Sequence, residues 1–262
     1  MLRYLRLLGI QLRTSVTLAA QYRVEFLVSG VLSLFWTALS LVPVLVLFQG
    51  RRQVVGWSLP EMMVVMGWFA LVKGVLEGAV NPSLTAVVEH IRKGTLDFVL
   101  LKPADAQFLV STARFELWRV VDVLSGLLLI GAAFHRMGRA PTAFAVLLSA
   151  AVLVSATVIL YSLWILVVSA AFFVVKVDNL SFLFLSLYDA ARWPSDVFPV
   201  VLRVVFTFVI PLAVLTTIPA QALLGRIGPW QVVATAAGAV AFALAARGVW
   251  LRSIGHYTSA SS

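Results

Sequence analysis

A helix needs about 20 mostly apolar residues to cross about 30 Å of hydrocarbon at about 1.5 Å per residue. Six runs in this chain meet that requirement: Phe26–Phe48, Met62–Val80, Leu117–Phe134, Thr142–Ser169, Val197–Leu223 and Trp230–Trp250. Of its 262 residues 61% are hydrophobic and only 12% charged, whereas soluble domains are about 45–50% apolar and about 25% charged. That composition leaves too little polar surface for a water-soluble globule. The reading is an all-α polytopic membrane protein, one domain over 1–262 with a head (1–25), a six-span bundle (26–250) and a tail (251–262). The net charge of +9 needs no nucleic acid, because basic residues also mark membrane sidedness and meet anionic lipid.

Sidedness follows from counting Lys and Arg. The head, the two longer connectors (81–116 and 170–196) and the tail carry twelve, against five in the three short connectors. Both termini are therefore expected in the cytoplasm. Trp57 and Trp230 would mark the outer interface, and Trp118, Trp193 and Trp250 the inner one. In the head, Leu2, Leu5, Leu8 and Leu12 recur at helical spacing with Arg3, Arg6 and Arg13 mainly on another face. That pattern fits an interfacial helix, and equally a basic anchor for the first span. No cleavage site follows the first apolar run, so it reads as a retained span.

Cysteine is absent, which removes disulfides, thiolate metal sites and a cysteine nucleophile. His90, His135 and His256 fall in three separate segments, so no histidine metal cluster is expected. No G-x-x-x-x-G-K-[ST] loop occurs, and the chain is expected to carry no nucleotide, metal or cofactor itself. It reads as non-catalytic.

The connector after the second span is the most informative segment. Asn81 suits an N-cap, Pro82 the first helical position and Gly94 the left-handed position past a helix end. Leu84, Val87, Val88 and Ile91 form an apolar stripe, and Arg92 and Lys93 fall in the last turn, where the helix dipole favours cations. This predicts a short amphipathic helix on the cytoplasmic face. Lipid contact alone would also explain its stripe.

The following residues carry a resemblance. Ile91-Arg92-Lys93-Gly94-Thr95-Leu96-Asp97-Phe98 with Leu100-Leu101-Lys102-Pro103, supported by Trp193-Pro194, Phe208-Val209-Ile210-Pro211 and Ile218-Pro219-Ala220, resembles permease subunits of ATP-binding-cassette transporters of the type-two export family. The resemblance implies two permease subunits, identical or related, seated on separate ATPase subunits that hold ATP and Mg. It implies export of a lipophilic or amphipathic substrate across the cell (plasma or inner) membrane. It also makes the connector helix the coupling element, with Leu84, Val87, Val88, Ile91, Arg92, Lys93, Gly94 and Asp97 as its contact residues. A self-sufficient ion-coupled transporter is the alternative. Such a protein usually shows matching interrupted halves, and only one interrupted region is present here. A membrane hydrolase would need convergent acid, base or metal ligands, and none cluster in the sequence.

Charges inside the spans are the candidate path residues. Lys73 and Glu77 stand four apart and are expected to pair. Arg119 and Asp122 stand three apart in span three. Arg203 is expected a turn or two inside the cytoplasmic end of span five. Spans two and five border the central route in the family resembled, which selects Lys73, Glu77 and Arg203. Intrahelical pairing or snorkelling would satisfy the same charges without any substrate. Segment 170–196, with Asp178-Asn179 and Trp193-Pro194, reads as an interfacial elbow. The resemblance implies that Pro211 to Pro219 folds back as two short helices; a kinked continuous helix is the other reading.

Overall fold

The computed structural model describes residues 2–173, 186 and 188–257. Lys176, the Asp178-Asn179 pair and the last residues of the tail lie outside them. Helices in chain order are α1 (Leu2–Gln21), α2 (Arg23–Leu47), α3 (Leu59–Val75), α4 (Asn81–Arg92), α5 (Asp97–Leu100), α6 (Ala106–Ser111), α7 (Val120–Met137) and α8 (Ala143–Ala170). Beyond the undescribed stretch come α9 (Val200–Val204), α10 (Leu212–Leu215), α11 (Thr217–Leu223) and α12 (Pro229–Gly255). A two-stranded hairpin, Gln53–Val54 against Trp57–Ser58, caps the α2–α3 connection. Its turn residues Val55 and Gly56 have φ of 50° and 78°.

Five helices among the described residues are long and apolar enough to cross a membrane; four lie within about five residues of the hydropathy limits, and the other, Leu59–Arg92, runs well past the expected end at Val80. The protein is a multi-pass membrane protein. A sixth candidate, Val200–Thr207 with Leu212–Leu223, is bent by 67° at Pro211, so the continuous-helix reading of this region does not hold.

Close approach of α3 and α7 organises the bundle. A Cβ on Gly126 would sit 2.5 Å from the Gly67 carbonyl oxygen, and one on Gly74 would sit 2.6 Å from Val123 Cγ2. Lipid gives apolar side chains no advantage in packing against each other, so close contact between backbones, permitted by small residues, supplies the attraction. On the other flank α12 packs on α8, burying Trp164 and Trp250 with Ala239 and Ala246. Trp57 and Trp250 are 2% and 0% exposed. Both pack inward near the ends of their spans, while Trp230 stays exposed.

The connector helix does not begin where its cap residues suggest. Asn81 is not an N-cap: it has helical φ and ψ of −59° and −47°, and its side chain accepts from the Thr85 hydroxyl at 3.0 Å. One helix of 34 residues, Leu59–Arg92, runs from the hairpin through a π turn at Leu76–Val80. Pro82 has no N–H to give the Gly78 carbonyl four residues back. That carbonyl instead accepts from the Glu116 N–H at 2.8 Å. The helix thus survives a proline that read as a start, because a distant backbone donor replaces the missing one.

Residues 188–196 also depart from expectation. They do not form an elbow at the α4 end. Tyr188 stacks on Phe69 at 5.2 Å and donates to its carbonyl, and the Trp57 indole donates to Asp196 at 3.3 Å. The segment therefore climbs along α3 toward the hairpin, and Trp193 packs with the hairpin-end core.

Candidate functional site

The charged residues of α3 and α7 meet in one ladder. Glu77, on the π turn of α3, pairs with Arg119 at the start of the α7 span. Arg119 also bonds Asp122 at 3.1 Å and lies 3.9 Å from Glu116. Asp122 is 1% exposed and accepts in addition from the Ser33 hydroxyl of α2. One guanidinium thus serves carboxylates from two helices, and a hydroxyl from a third completes the shell. Burial of this kind requires such pairing, since a lone charge at membrane depth costs about 2.5–3.5 kcal/mol on insertion scales.

The expected Lys73–Glu77 pair is not formed. Glu77 turns to Arg119, and among the described residues no carboxylate lies within 4.0 Å of the Lys73 ammonium. Lys73 instead lines a cavity of about 200 Å³ with Asp122, Asp189, Arg192, Trp36 and Phe69. Arg203 lies elsewhere. Its guanidinium donates to the Asp196 carbonyl at 2.8 Å, beside Trp57 at the hairpin end. The expected trio is therefore split: Lys73 and Glu77 sit beside the cavity and ladder, and Arg203 does not. Ser33 and Trp36 carried no sequence signal, and Asp189 read only as part of the 170–196 connector. Only the helix packing brings them together.

On the α4 side of the ladder a larger groove of about 570 Å³ opens between α1, α2, the π turn of α3 with α4, and residues 114–119. Glu77 and Arg119 line it as well. The ladder is thus the partition between this groove and the smaller cavity, which Asp122 and Lys73 line.

At the far end of the 34-residue helix, Leu84, Val87 and Val88 are 0%, 1% and 5% exposed. They pack in the core with Ile159 and Leu160 of α8 and Leu96, and Ser83 locks α4 by bonding both the N–H and the carbonyl of Arg114. The stripe that looked available to a partner is internal. Ile91 is half-buried, while Arg92, Lys93, Phe98 and Leu101 are exposed, Leu101 to 81%. Gly94 holds φ of 64°, the left-handed turn its position called for. Asp97 opens α5 beside it.

A second polar cluster ties this end together. Arg247 of α12 pairs with Asp105 at 2.6 Å and donates to Gln107 at 2.8 Å, and Tyr161 of α8 bonds Gln107 and Ser111. Burial pushes the Asp105 carboxyl up, but Arg247 and the Phe108 N–H together hold it below the usual range. Tyr4 and Ser15 of α1 bond the backbone at Asp105 and Phe115, so α1 is a separate helix laid along the same connector. Among the described residues no group of acidic or histidine side chains has the makings of a metal site.

The chain matches the family described as ABC-2 family transporter protein over residues 34–261. It belongs to that family, whose members are generally non-catalytic membrane components of ABC transporters. No curated protein and no solved structure shows significant similarity to it.

Proposed function

We propose that this chain is the permease subunit of an ABC exporter, paired with a second permease subunit and driven by ATP hydrolysis on separate ATPase subunits that hold the nucleotide and Mg. Both termini and the α4 end face the cytoplasm of the cell (plasma or inner) membrane, in line with ten basic residues in the head, residues 81–116 and the tail end against five in the three short connectors. The observation that carries the reading is the unbroken helix Leu59–Arg92. At about 1.5 Å per residue its 34 residues reach about 50 Å, some 20 Å more than the hydrocarbon thickness of about 30 Å. A rigid rod then joins the Lys73–Glu77 region to a tip beyond the membrane.

The coupling surface is that tip: Arg92, Lys93, Gly94 and Asp97 of the family-like motif, together with exposed Phe98 and Leu101. Leu84, Val87, Val88 and Ile91 support it from beneath. Push on the tip reaches Glu77 and the ladder through the rod, and the ladder separates groove from cavity. The substrate class is a lipophilic or amphipathic molecule, in keeping with a groove that opens between α1 and α2 at the membrane border.

Isolation of the tagged chain from its native membrane tests this. An ABC ATPase is expected to co-isolate. Phe98→Asp with Leu101→Asp should reduce its recovery at least about tenfold, with thermal unfolding of the chain unchanged. Recovery of the chain with no ATPase would contradict the proposal.

A further inference from the structure

The cavity beside Lys73 holds four ionisable groups, and three of them are already engaged. Asp122 is bound by Arg119 and Ser33. Asp189 is bound by Arg192 at 3.0 Å. Of these four, Lys73 alone has no ion pair within 4.0 Å. It stands in α3 between buried Val72 and Gly74, where Gly74 meets Val123 near the start of α7. A cation at that depth needs a counter-charge. An incoming cation would find both cavity carboxylates taken, whereas an anion would find a free ammonium.

Size and mouth narrow the ligand further. About 200 Å³ falls below the roughly 300–1,000 Å³ of pockets that enclose whole drug-sized molecules. It suits a compact headgroup. Trp36 lines the cavity yet is 60% exposed, and it meets Phe35, 57% exposed, edge to face at 5.6 Å. An apolar aromatic ledge on α2 therefore leads outward from the charged cavity, where an alkyl tail is at home and a water-soluble anion is not.

We propose that this cavity binds the anionic headgroup of an amphiphile, with Lys73 as its counter-ion and the Phe35–Trp36 ledge carrying its tail. The proposal rests on the permease reading above and names the substrate class for that site: a single-headed amphiphile bearing a phosphate, carboxylate or sulfate. The ladder of Glu77, Arg119 and Asp122 then stands between the groove on the α4 side and the seated headgroup.

The test needs no ATPase. The purified chain in a neutral maltoside detergent is mixed with equal amounts of phosphatidylglycerol and phosphatidylcholine, and retained lipid is counted by native mass spectrometry. Phosphatidylglycerol should be retained at least about tenfold over phosphatidylcholine. Lys73→Met should lower its retention at least about tenfold, and Lys73→Gln should do the same should the first variant fold poorly. Lys73→Arg should keep it, and Arg139→Met, which removes a charge on an exposed connector, should leave it unchanged. Inorganic phosphate in large excess should not displace the lipid. Equal retention of both lipids, retention unaltered in Lys73→Met and Lys73→Gln, or displacement by phosphate alone would each overturn the proposal. Loss of ATPase co-isolation leaves these outcomes standing, and their failure leaves the ATPase question to its own experiment.

Discussion

The carbonyl of Gly78 accepts the N–H of Glu116 at 2.8 Å, which satisfies the one acceptor that Pro82 leaves open within the helix Leu59–Arg92. Pro82 withdraws the donor that Gly78 would otherwise have used. An unsatisfied carbonyl beside the hydrocarbon would cost several kcal/mol, so the connector that delivers Glu116 is held to the π turn.

Pro82→Ala restores a competing intrahelical donor. The Glu116 amide should then lose protection, with hydrogen exchange at least about tenfold faster, the loss of about one net hydrogen bond of roughly 1.4 kcal/mol. Site-resolved hydrogen exchange on the two proteins checks this.

The α3–α7 seam gives a steric prediction. Gly126→Ala places a methyl 2.5 Å from the Gly67 oxygen, where backbone must move. Destabilisation of about 1–3 kcal/mol is expected, as for overpacked cores. Gly131→Ala on the same helix, with nothing within 4 Å of the new Cβ, should be tolerated. Thermal unfolding in detergent separates the two.

Arg119 is the member of the ladder whose loss should matter most. Arg119→Met strands Glu77 and the buried Asp122, and breaking buried pairs from one side costs about 3–5 kcal/mol. Adding Asp122→Asn should recover part of that loss, because the remaining amide needs no counter-charge. Lys73→Met should cost little stability, since no pair is broken. Chemical denaturation of the four proteins orders them.

Five of the six expected spans were legible because hydropathy records partition into lipid directly. The region 170–223 was not. Trp193, Pro194 and the charges Asp189, Arg192 and Asp196 read as an interfacial connector, yet their polar groups pair with one another and with Trp57 while the segment climbs along α3. The charged site was half legible. Spacing exposes partners on the same helix, as with Arg119 and Asp122, but the Glu77–Arg119 pair crosses between helices. Local propensity therefore favoured Lys73 as the partner of Glu77, and tertiary packing decided otherwise. The turn after Ile91 was legible at Gly94, whose left-handed φ of 64° is a backbone demand visible in one residue. The stripe of Leu84, Val87 and Val88 was seen correctly as apolar, but periodicity cannot tell a face for a partner from a face for the chain's own core.

The Arg247–Asp105 tie predicts a pH dependence. Asp105 titrates below its unfolded value of about 3.9 when folded. Its stabilisation is therefore complete above that value and is lost as pH falls through the lower, folded one. As pH falls below about 4 the chain should lose stability, and Asp105→Asn should flatten that part of the profile. Unfolding midpoints against pH in both proteins measure the difference.

The most direct test of ATP-driven transport is reconstitution of this chain with and without its co-isolated ATPase in sealed vesicles containing a fluorescent anionic amphiphile. Transport should require both the ATPase and ATP, and Phe98→Asp with Leu101→Asp should abolish it while leaving the chain inserted. Transport by this chain alone under a proton or sodium gradient, at the rate seen with the ATPase and ATP, would contradict it.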